Sequence, residues 1–494
     1  MRHEIYLRQR YRAFLGYAGG VSAIIGLLYF VPLLVIPFYP EEIVYAGGFL
    51  LVGFPLILIG TLAWRWLTPR QPLSLTIQEG SVVVILAWIG AVLTGSLPFM
   101  SVNELSFSQA LFESASGWTT TGLSVVDVTG SPRIILLFRS MLQLAGGAGF
   151  AIIALSAVSG SFSAGLVSAE GRTDQLAPHV RRSANIVLTI YSGYVLVGCL
   201  ALRLAGMGWF DAINHAFTAL STGGFSTRPE SIGYWDNPAI EAVTLVLMIL
   251  GTINFFVAYT FLSGKIRVGL RSGELRLLFV VLIGSAVIAF AFVTGALYTS
   301  AEKSIRVAIF ETTSALTTTG FSTVSYQTWP DFGWTVLITL MLIGGGTGST
   351  AGGIKQLRIY ILYKAIIWEV RSAFMPQHMV NEPAIWHGER RELLSDRQVR
   401  RVALFTGIYL AVFLIGSTLM MLYGYSMRDS LFEFASTVGT VGLSVGVTSP
   451  NMPVPLLWFQ SLGMILGRLE FFTVIIGLIK LFKDVTCLIK FRKS

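Results

Sequence analysis

The sequence contains little charge. Only 12% of its 494 residues are Asp, Glu, Lys or Arg, whereas soluble domains carry about a quarter. Hydrophobic residues make up 54%, and the mean hydropathy is +0.70. Because charges and unpaired backbone groups are costly in hydrocarbon, this composition predicts a chain that has lipid as its solvent. No polar stretch between the apolar runs is long enough for a conventional soluble domain, which argues against a membrane-anchored enzyme.

Cysteine and histidine are also scarce. The two cysteines, Cys199 and Cys487, lie in apolar surroundings, so a disulfide framework is excluded and packing is the simpler role. The five histidines, at positions 3, 179, 215, 378 and 387, show no metal-ligand spacing. Because no nucleophile–base arrangement stands out either, the sequence predicts that the protein is not an enzyme.

Apolar runs of bilayer-spanning length, about 20 residues each, recur between residues 13 and 482. If Met1 faces the cytoplasm and these runs alternate in direction, 27 of the 35 basic residues fall on the cytoplasmic side. Five fall outside: Arg133, Arg228, Lys303, Arg306 and Arg428. This asymmetry follows the positive-inside rule and predicts cytoplasmic N- and C-termini. The net charge of +9 thus reflects topology, and no nucleic-acid partner is expected.

Four segments of the chain align without gaps. They are FESASGWTTTGLS (112–124), NHAFTALSTGGFS (214–226), FETTSALTTTGFS (310–322) and FEFASTVGTVGLS (432–444). Each has a glycine ten residues after its first position, followed by Leu or Phe and then Ser. Apolar runs flank every segment, so the predicted unit is a span, a short re-entrant helix, an irregular loop and a second span.

The predicted fold is an all-α polytopic membrane protein with a pseudo-fourfold repeat around a central ion pore. Two further spans, at about 13–37 and 43–66, precede the repeats. The predicted divisions are 1–70 for these two spans, then 71–165, 166–270, 271–385 and 386–494 for repeats 1 to 4.

The glycine-centred loops predict an ion filter. Irregular backbone at membrane depth is tolerated only where it lines a water-filled cavity or is buried in protein, and rings of backbone carbonyls form the filters of potassium channels. Glycine reaches positive φ without steric cost, which lets successive carbonyls face one axis. A role in helix packing alone is disfavoured, because the pattern recurs at four equivalent places. The predicted K⁺-binding filter residues are Thr120, Thr121, Gly122, Thr222, Gly223, Gly224, Thr318, Thr319, Gly320, Thr440, Val441 and Gly442.

A second glycine-rich segment, GGGTGSTAGG at 344–353, interrupts the second span of repeat 3. A phosphate-binding loop needs Lys directly after its last Gly, but Ile354 separates Gly353 from Lys355, so this chain is not expected to bind a nucleotide. Because so many glycines cannot hold a stable helix, we expect a flexible intramembrane loop that faces a cavity and acts as a gate. The predicted gate residues are Gly344, Gly345, Gly346, Thr347, Gly348, Ser349, Gly352, Gly353 and, in the last span, Arg468.

Several charged residues lie within the apolar segments. Arg468 is interpreted as a cavity-facing barrier below the filter, because Glu470 is only two residues away and does not share its helix face. Arg139 is interpreted as a snorkelling or structural residue. Three of the four aligned segments carry a glutamate at their second position, and structural support behind the filter is favoured over an ion-attracting ring. These are Glu113, Glu311 and Glu433, with His215 in the remaining segment.

These features resemble the Trk/Ktr/HKT superfamily of potassium transporters, and within it the bacterial TrkH/TrkG branch. The resemblance covers nearly the whole chain and includes the four loops, GGGTGSTAGG, GRLEFF at 467–472 and the two N-terminal spans. It implies a homodimer in the lipid of the bacterial inner membrane, with a K⁺- and Rb⁺-permeable pore in each protomer. It implies that the four glycines mark the filter and that residues 344–353 with Arg468 form the gate. It also implies a cytosolic TrkA-type regulatory ring that binds NAD(H) or ATP/ADP, with the basic linker 355–401 and the C-terminal tail as its docking surface.

Two alternatives are left open. Some plant-like relatives that favour Na⁺ have Ser at the first filter glycine, and Gly122 argues against that type. Three of the four triplets nevertheless depart from Thr-Val-Gly, so a Na⁺-permeable or H⁺- or Na⁺-coupled cation transporter is one alternative. The other is a non-conducting membrane scaffold or receptor, which would explain the basic cytoplasmic face but not four equivalent glycine loops.

Overall fold

The structure, a computed structural model, describes residues 2–69, 76–147, 180–375, 384–387 and 390–493. Within these ranges the chain is helical apart from loops and one antiparallel hairpin, in which Ala384–His387 pairs with Arg390–Leu393. Two helices, Arg2–Leu28 and Ala46–Leu67, come first and pack against each other, separated by 3₁₀ turns at Pro32–Val35 and Pro40–Tyr45.

Each predicted repeat then contains a first helix, a pore helix and a second helix. The first helices are Ile77–Val102, Val180–Leu204, Gly273–Ala289 and Asp396–Leu422; the third continues through a π turn at Phe290–Thr294 and a short turn at Gly295–Leu297. The pore helices are Phe107–Trp118, Trp209–Leu220, Ala301–Leu316 and Met427–Val438. The second helices are Arg133–Gly147, Pro238–Thr252 with Phe255–Leu262, Asp331–Ile343 with Gln356–Ser372, and Val454–Leu469 with Phe471–Lys493. Short turns lie at Ser231–Tyr234 and Ile266–Gly269.

The second helices of repeats 2 and 4 are broken. The two halves meet at 109° in repeat 2 and at 104° in repeat 4, so the apolar runs at 239–263 and 454–482 do not form continuous straight helices. In repeat 2, the Asn254 side chain starts the next helix by accepting a hydrogen bond from the Phe256 N–H (2.7 Å). In repeat 4, Glu470 has a φ of +64° at the break. Hydropathy averages do not register either local feature.

The pore helices form the centre of the protein. Three of them begin at a serine whose hydroxyl caps the first turn, namely Ser106, Ser300 and Ser426. The first helices, in contrast, expose large apolar side chains such as Leu196, Val280 and Leu414, as expected for surfaces in contact with lipid. Among the described residues, six helices are long and apolar enough to cross a membrane, and two further pairs reach that length across a bend. The predicted all-α polytopic fold is therefore confirmed.

Candidate functional site

The four glycine-centred loops meet in a closed ring. A Cβ added to any of the four predicted filter glycines would come within 3.0 Å of a carbonyl oxygen of the next repeat. The pairs are Gly122 with Gly223 O, Gly224 with Thr319 O, Gly320 with Val441 O, and Gly442 with Thr121 O. Because the fourth pair returns to repeat 1, the four loops contact one another in a closed cycle, with each glycine beside a carbonyl oxygen of the next repeat. We call the oxygens of Thr121, Gly223, Thr319 and Val441 the ring carbonyls.

Each pore helix ends with the same strained turn. The threonine two residues before each glycine has a positive φ: +56° at Thr120, +51° at Thr222, +54° at Thr318 and +50° at Thr440. The next residue donates its N–H to the carbonyl five residues back, as Thr121 does to Ser116 (2.9 Å). Glycine normally occupies the left-handed position of this closure, and a β-branched residue there is an outlier. Strain repeated in four places suggests a backbone held for function.

The exposure of the loops alternates. The four filter glycines are half-buried, as are the serines two residues after them, whereas the Leu or Phe in between is buried. Leu123 and Leu443, for example, are each only 1% exposed. The large side chains therefore point back into the protein, and the glycines keep part of their surface exposed.

Buried carboxylates accept hydrogen bonds from three of the four loops. Glu113 accepts hydrogen bonds from the Ser124 hydroxyl and the Val125 N–H (both 3.0 Å). Glu311 likewise accepts from Thr323, and Glu433 accepts from Ser444 and Thr448, at 2.7 to 2.9 Å. In repeat 2, His215 Nε2 pairs with the Ser226 hydroxyl at 2.9 Å. All four side chains are fully buried, which places them in supporting positions.

Arg139 joins repeats 1 and 2. Its side chain is 2% exposed, so it does not snorkel. The guanidinium donates to Glu113 (2.8 Å), to the Ser124 hydroxyl (2.8 Å) and to the carbonyl of Ser226 (3.2 Å). It also lies over the Phe225 ring, 4.0 Å from the centroid. A buried cation thus compensates the charge of Glu113 and ties together two adjacent filter loops.

Replacing Arg139 with Met is expected to lower the free energy of unfolding by about 3–5 kcal/mol, because the Glu113 carboxylate would stay buried without its cation. Thermal unfolding of the detergent-solubilised protein measures this loss. Arg133→Met is the matched control, because its contact with Glu41 is 3.9 Å long and largely exposed, and such pairs contribute about 0–1 kcal/mol. Equal losses in the two variants would contradict the assigned role.

The glycine-rich loop 344–353 passes directly below the ring. The Thr350 and Thr222 hydroxyls are 3.1 Å apart, and the Gly352 N–H donates to the Thr318 hydroxyl at 2.8 Å. A Cβ on Gly352 would collide with the Thr440 hydroxyl. We call the threonine two residues before each filter glycine (Thr120, Thr222, Thr318 and Thr440) the inner threonine. The loop therefore contacts the inner threonine of three of the four repeats.

The loop is packed, contrary to the expectation of a flexible segment that faces a cavity. All of its residues except Gly348 are buried. The break in the second helix of repeat 2 leaves backbone carbonyls that the loop satisfies: Gly346 N–H donates to Thr252 O, and Thr350 N–H donates to Gly251 O (both 3.1 Å). Glycine permits this because its backbone can approach another backbone closely. The polar residues around the break, such as Asn254, were not predicted from the sequence, because a single polar residue in an apolar run forms no repeated pattern.

Arg468 fastens the loop to repeat 1. Its guanidinium donates to the carbonyl of Thr350 and to that of Gly146 (2.7 Å). Glu470 pairs with Arg358 (2.6 Å) and Lys355 (3.7 Å). Arg468 thus connects the second helices of repeats 1 and 4 to the loop of repeat 3.

Two oxygen atoms at the inner end of the ring are available as ligands. The hydroxyls of Thr120 and Thr440 are buried and have no hydrogen-bond partner within the part of the chain that the structure describes. Buried hydroxyls normally have a partner. An unpartnered pair next to carbonyls therefore offers oxygen atoms to a cation.

On the opposite side of the ring from the loop, positive charge is compensated. Each of the five basic residues predicted to lie outside has a carboxylate neighbour: Arg133–Glu41, Arg228–Asp211, Lys303–Asp236, Arg306–Glu241 and Arg428–Asp331. The hydrogen bond from Lys303, together with the charges of Lys303 and Arg306, holds the pKa of Asp236 below its usual value. These pairs offset the positive charge on this side of the ring.

The comparisons with known proteins agree with this architecture. Residues 49–485 match the family model TrkH, described as a cation transport protein. The chain is 31% identical to the Trk system potassium uptake protein TrkH of Escherichia coli, over 92% of this chain and 97% of that protein. It is 30% identical to an uncharacterized cation transporter of Methanocaldococcus jannaschii, over 93% of each. The crystal structure of the potassium transporter TrkH from Vibrio parahaemolyticus superposes with a TM-score of 0.84 at 28% identity, covering 94% of this chain and 98% of that one. The chain therefore belongs to the TrkH family of cation transport proteins.

Proposed function

We propose that the protein mediates uptake of K⁺ through the ring formed by its four glycine-centred loops. The observation that carries this proposal is the closed cycle of contacts between each filter glycine and a ring carbonyl of the next repeat. Backbone carbonyls arranged in this way replace the hydration shell of a monovalent cation. The unpartnered Thr120 and Thr440 hydroxyls add oxygen atoms at the inner end, and the partial negative charge at the pore-helix C-termini favours a cation there. Relatives named for potassium uptake support K⁺ as the ion.

The loop 344–353 and Arg468 are proposed as the gate. The loop lies below the ring and contacts the inner threonines of repeats 2, 3 and 4. Arg468 holds it in place through hydrogen bonds to carbonyls of two repeats. A closed pore in this arrangement opens when the hydrogen bonds of the loop are exchanged for others, with the glycines allowing the backbone to rearrange.

Regulation by a cytosolic partner completes the proposal. The family resemblance supports a homodimer in the bacterial inner membrane, with cytoplasmic termini and a TrkA-type ring that binds NAD(H) or ATP/ADP. The basic charge of the linker 355–401 suits such a docking surface. Lys355 and Arg358 in this linker pair with Glu470, two residues from Arg468, which offers a short physical connection between a docked partner and the gate.

Flux measurements on purified protein in liposomes test the function. We expect uptake of labelled Rb⁺ down its gradient, with K⁺ competing more effectively than Na⁺. Empty liposomes and a Gly320→Ala variant serve as controls. Equal competition by Na⁺, or a requirement for a proton or Na⁺ gradient, would favour the Na⁺-permeable or coupled transporter. Absence of any flux, with and without the cytosolic partner, would reject conduction in favour of a scaffold or receptor.

A further inference from the structure

One of the four ring carbonyls is held by a side chain from another repeat. Gln143, on the second helix of repeat 1, is fully buried. Its Nε2 donates to Gly223 O at 2.6 Å, and its Oε1 accepts from Phe225 N at 3.1 Å. Because a carbonyl can only accept and an N–H can only donate, these two partners fix the orientation of the amide. Gln143 thus forms hydrogen bonds with the backbone of repeat 2 on both sides of the filter glycine Gly224.

The other three ring carbonyls are not held by a side chain of another repeat within the part of the chain that the structure describes. In repeats 1 and 3, the residue that supplies the carbonyl is braced by its own pore-helix end, through the hydroxyl pairs Thr119–Thr121 (2.7 Å) and Thr317–Thr319 (2.8 Å). Within the described ranges, no side chain donates a hydrogen bond to the carbonyls of Thr121, Thr319 or Val441. Repeat 2 has glycine at position 223 and therefore no side-chain hydroxyl for such a pair. Its ring carbonyl accepts a hydrogen bond from Gln143 instead.

Glycine at position 223 is explained by the same contact. A Cβ there would come within 3.0 Å of three atoms of the Gln143 carboxamide. Gln143 therefore occupies the space that the side chain of Thr or Val would fill in the other repeats. The cost of this arrangement is a pair of adjacent glycines, Gly223 and Gly224, whose backbone has far more accessible conformations than Thr-Gly or Val-Gly.

From this geometry we infer that Gln143 is a specificity-determining positioning residue. It keeps the Gly223 carbonyl directed at the centre of the ring, and it does so without touching the ion. The inference depends on the proposed function, since it assumes that the ring carbonyls bind K⁺. Without the Gln143 hydrogen bonds, the peptide between Gly223 and Gly224 retains only the long bond from the Gly224 N–H to the Thr218 carbonyl (3.4 Å), so its carbonyl rotates away from the ring more easily. The ring would then offer three fixed carbonyls, a site that discriminates less well between K⁺ and the smaller, more strongly hydrated Na⁺.

Gln143→Met tests the hydrogen bonds separately from packing, because Met has a similar length and volume but cannot donate to Gly223 O. In liposomes that contain the purified full-length chain, we expect Na⁺ permeability relative to K⁺ to rise about three- to tenfold, as expected from the loss of one or two hydrogen bonds. Gln143→Leu should behave similarly, because its side chain can neither donate to Gly223 O nor accept from Phe225 N. Gly90→Ala, where an added Cβ meets nothing within 4 Å, is the control and should retain the wild-type ratio.

A second pair of variants keeps the test independent of any one substitution. Gly223→Val alone should damage the filter, because its Cβ collides with Gln143. Combined with Gln143→Ala, which vacates the space, the same Gly223→Val should restore selectivity by reproducing the sequence of repeat 4. Gly223→Val should therefore lower the preference for K⁺ over Na⁺ when Gln143 is present and raise it when it is combined with Gln143→Ala.

The outcomes distinguish this inference from the proposed function. A wild-type protein that conducts nothing would overturn the function itself. A wild-type protein that prefers K⁺, together with an unchanged ratio in Gln143→Met and Gln143→Leu, would overturn only the role of Gln143. Conduction without preference for K⁺ in the wild type, or Gly223→Val effects that merely add to those of Gln143→Ala, would also overturn it.

Discussion

Substituting Ala for Gly320 is expected to reduce Rb⁺ uptake by the reconstituted protein at least about tenfold. Backbone strain of about one to two kcal/mol is by itself sufficient for a loss of this size. Gly320 has a φ of +82°, a conformation that a Cβ disfavours. The added methyl would also fall within 3.0 Å of the carbonyl oxygen of Val441 and the Cα of Gly442. A rotamer change cannot relieve this collision, because the methyl is attached directly to the backbone. The substitution must therefore displace a ring carbonyl.

The matched control is Gly90→Ala, in the first helix of repeat 1. A Cβ at Gly90 meets nothing within 4 Å, and Ala is favoured over Gly inside a helix. Flux through this variant should equal that of the wild type, and both proteins should elute as single species from gel filtration. Wild-type flux with unchanged K⁺ preference in Gly320→Ala would remove the filter assignment.

Replacing Arg468 with Ala is expected to increase Rb⁺ flux about tenfold when the cytosolic partner is absent. Hydrogen bonds from a charged donor contribute about 1.5–3 kcal/mol each, and Arg468 makes such bonds to Thr350 O and Gly146 O. Their loss releases the loop from repeat 1 and shifts the equilibrium towards an open pore. Arg203→Ala is the control, since Arg203 lies in an apolar span and donates locally, to Met207 O.

Arg468→Lys separates two mechanisms for the same residue. A lysine keeps the positive charge but cannot donate from a planar fork to two carbonyls at once. If Arg468 fastens the loop, Lys should increase flux as Ala does. If its charge repels ions in the pore, Lys should keep the flux low. Unchanged flux in both variants would reject the assignment of the gate.

Much of the architecture could be predicted from the sequence because its signals are local and repeated. A glycine at a fixed offset from a short apolar helix occurs four times, and in each case the loop requires a positive φ that glycine adopts readily. The apolar runs that flank each loop follow from the exclusion of polar groups from hydrocarbon. The all-α polytopic fold was predicted correctly on these grounds. The TrkH family was identified correctly by the resemblance of the four loops, GGGTGSTAGG and GRLEFF to that family.

The positions of the helix breaks could not be predicted in the same way. Residues 239–263 and 454–482 have the hydropathy of continuous spans, but the chain turns at Asn254 and at Glu470. The helix break leaves the carbonyls of Gly251 and Thr252 without partners in their own helix. The turn at Asn254 is stable because these carbonyls accept hydrogen bonds from a loop about 100 residues further along the chain. Hydropathy measures the preference of side chains for lipid and contains no term for these backbone partners.

The amino-acid sequence determined which segments enter the membrane, which turn within it, and that four of them are equivalent. Those properties depend on side-chain hydrophobicity and on the φ preference of glycine, both of which are local. The tertiary structure decided which carbonyl each glycine faces, why position 223 has no side chain, and how Arg468 reaches the loop of another repeat. These contacts join residues that are 80 or more positions apart, and they exist only after the four repeats have packed around one axis.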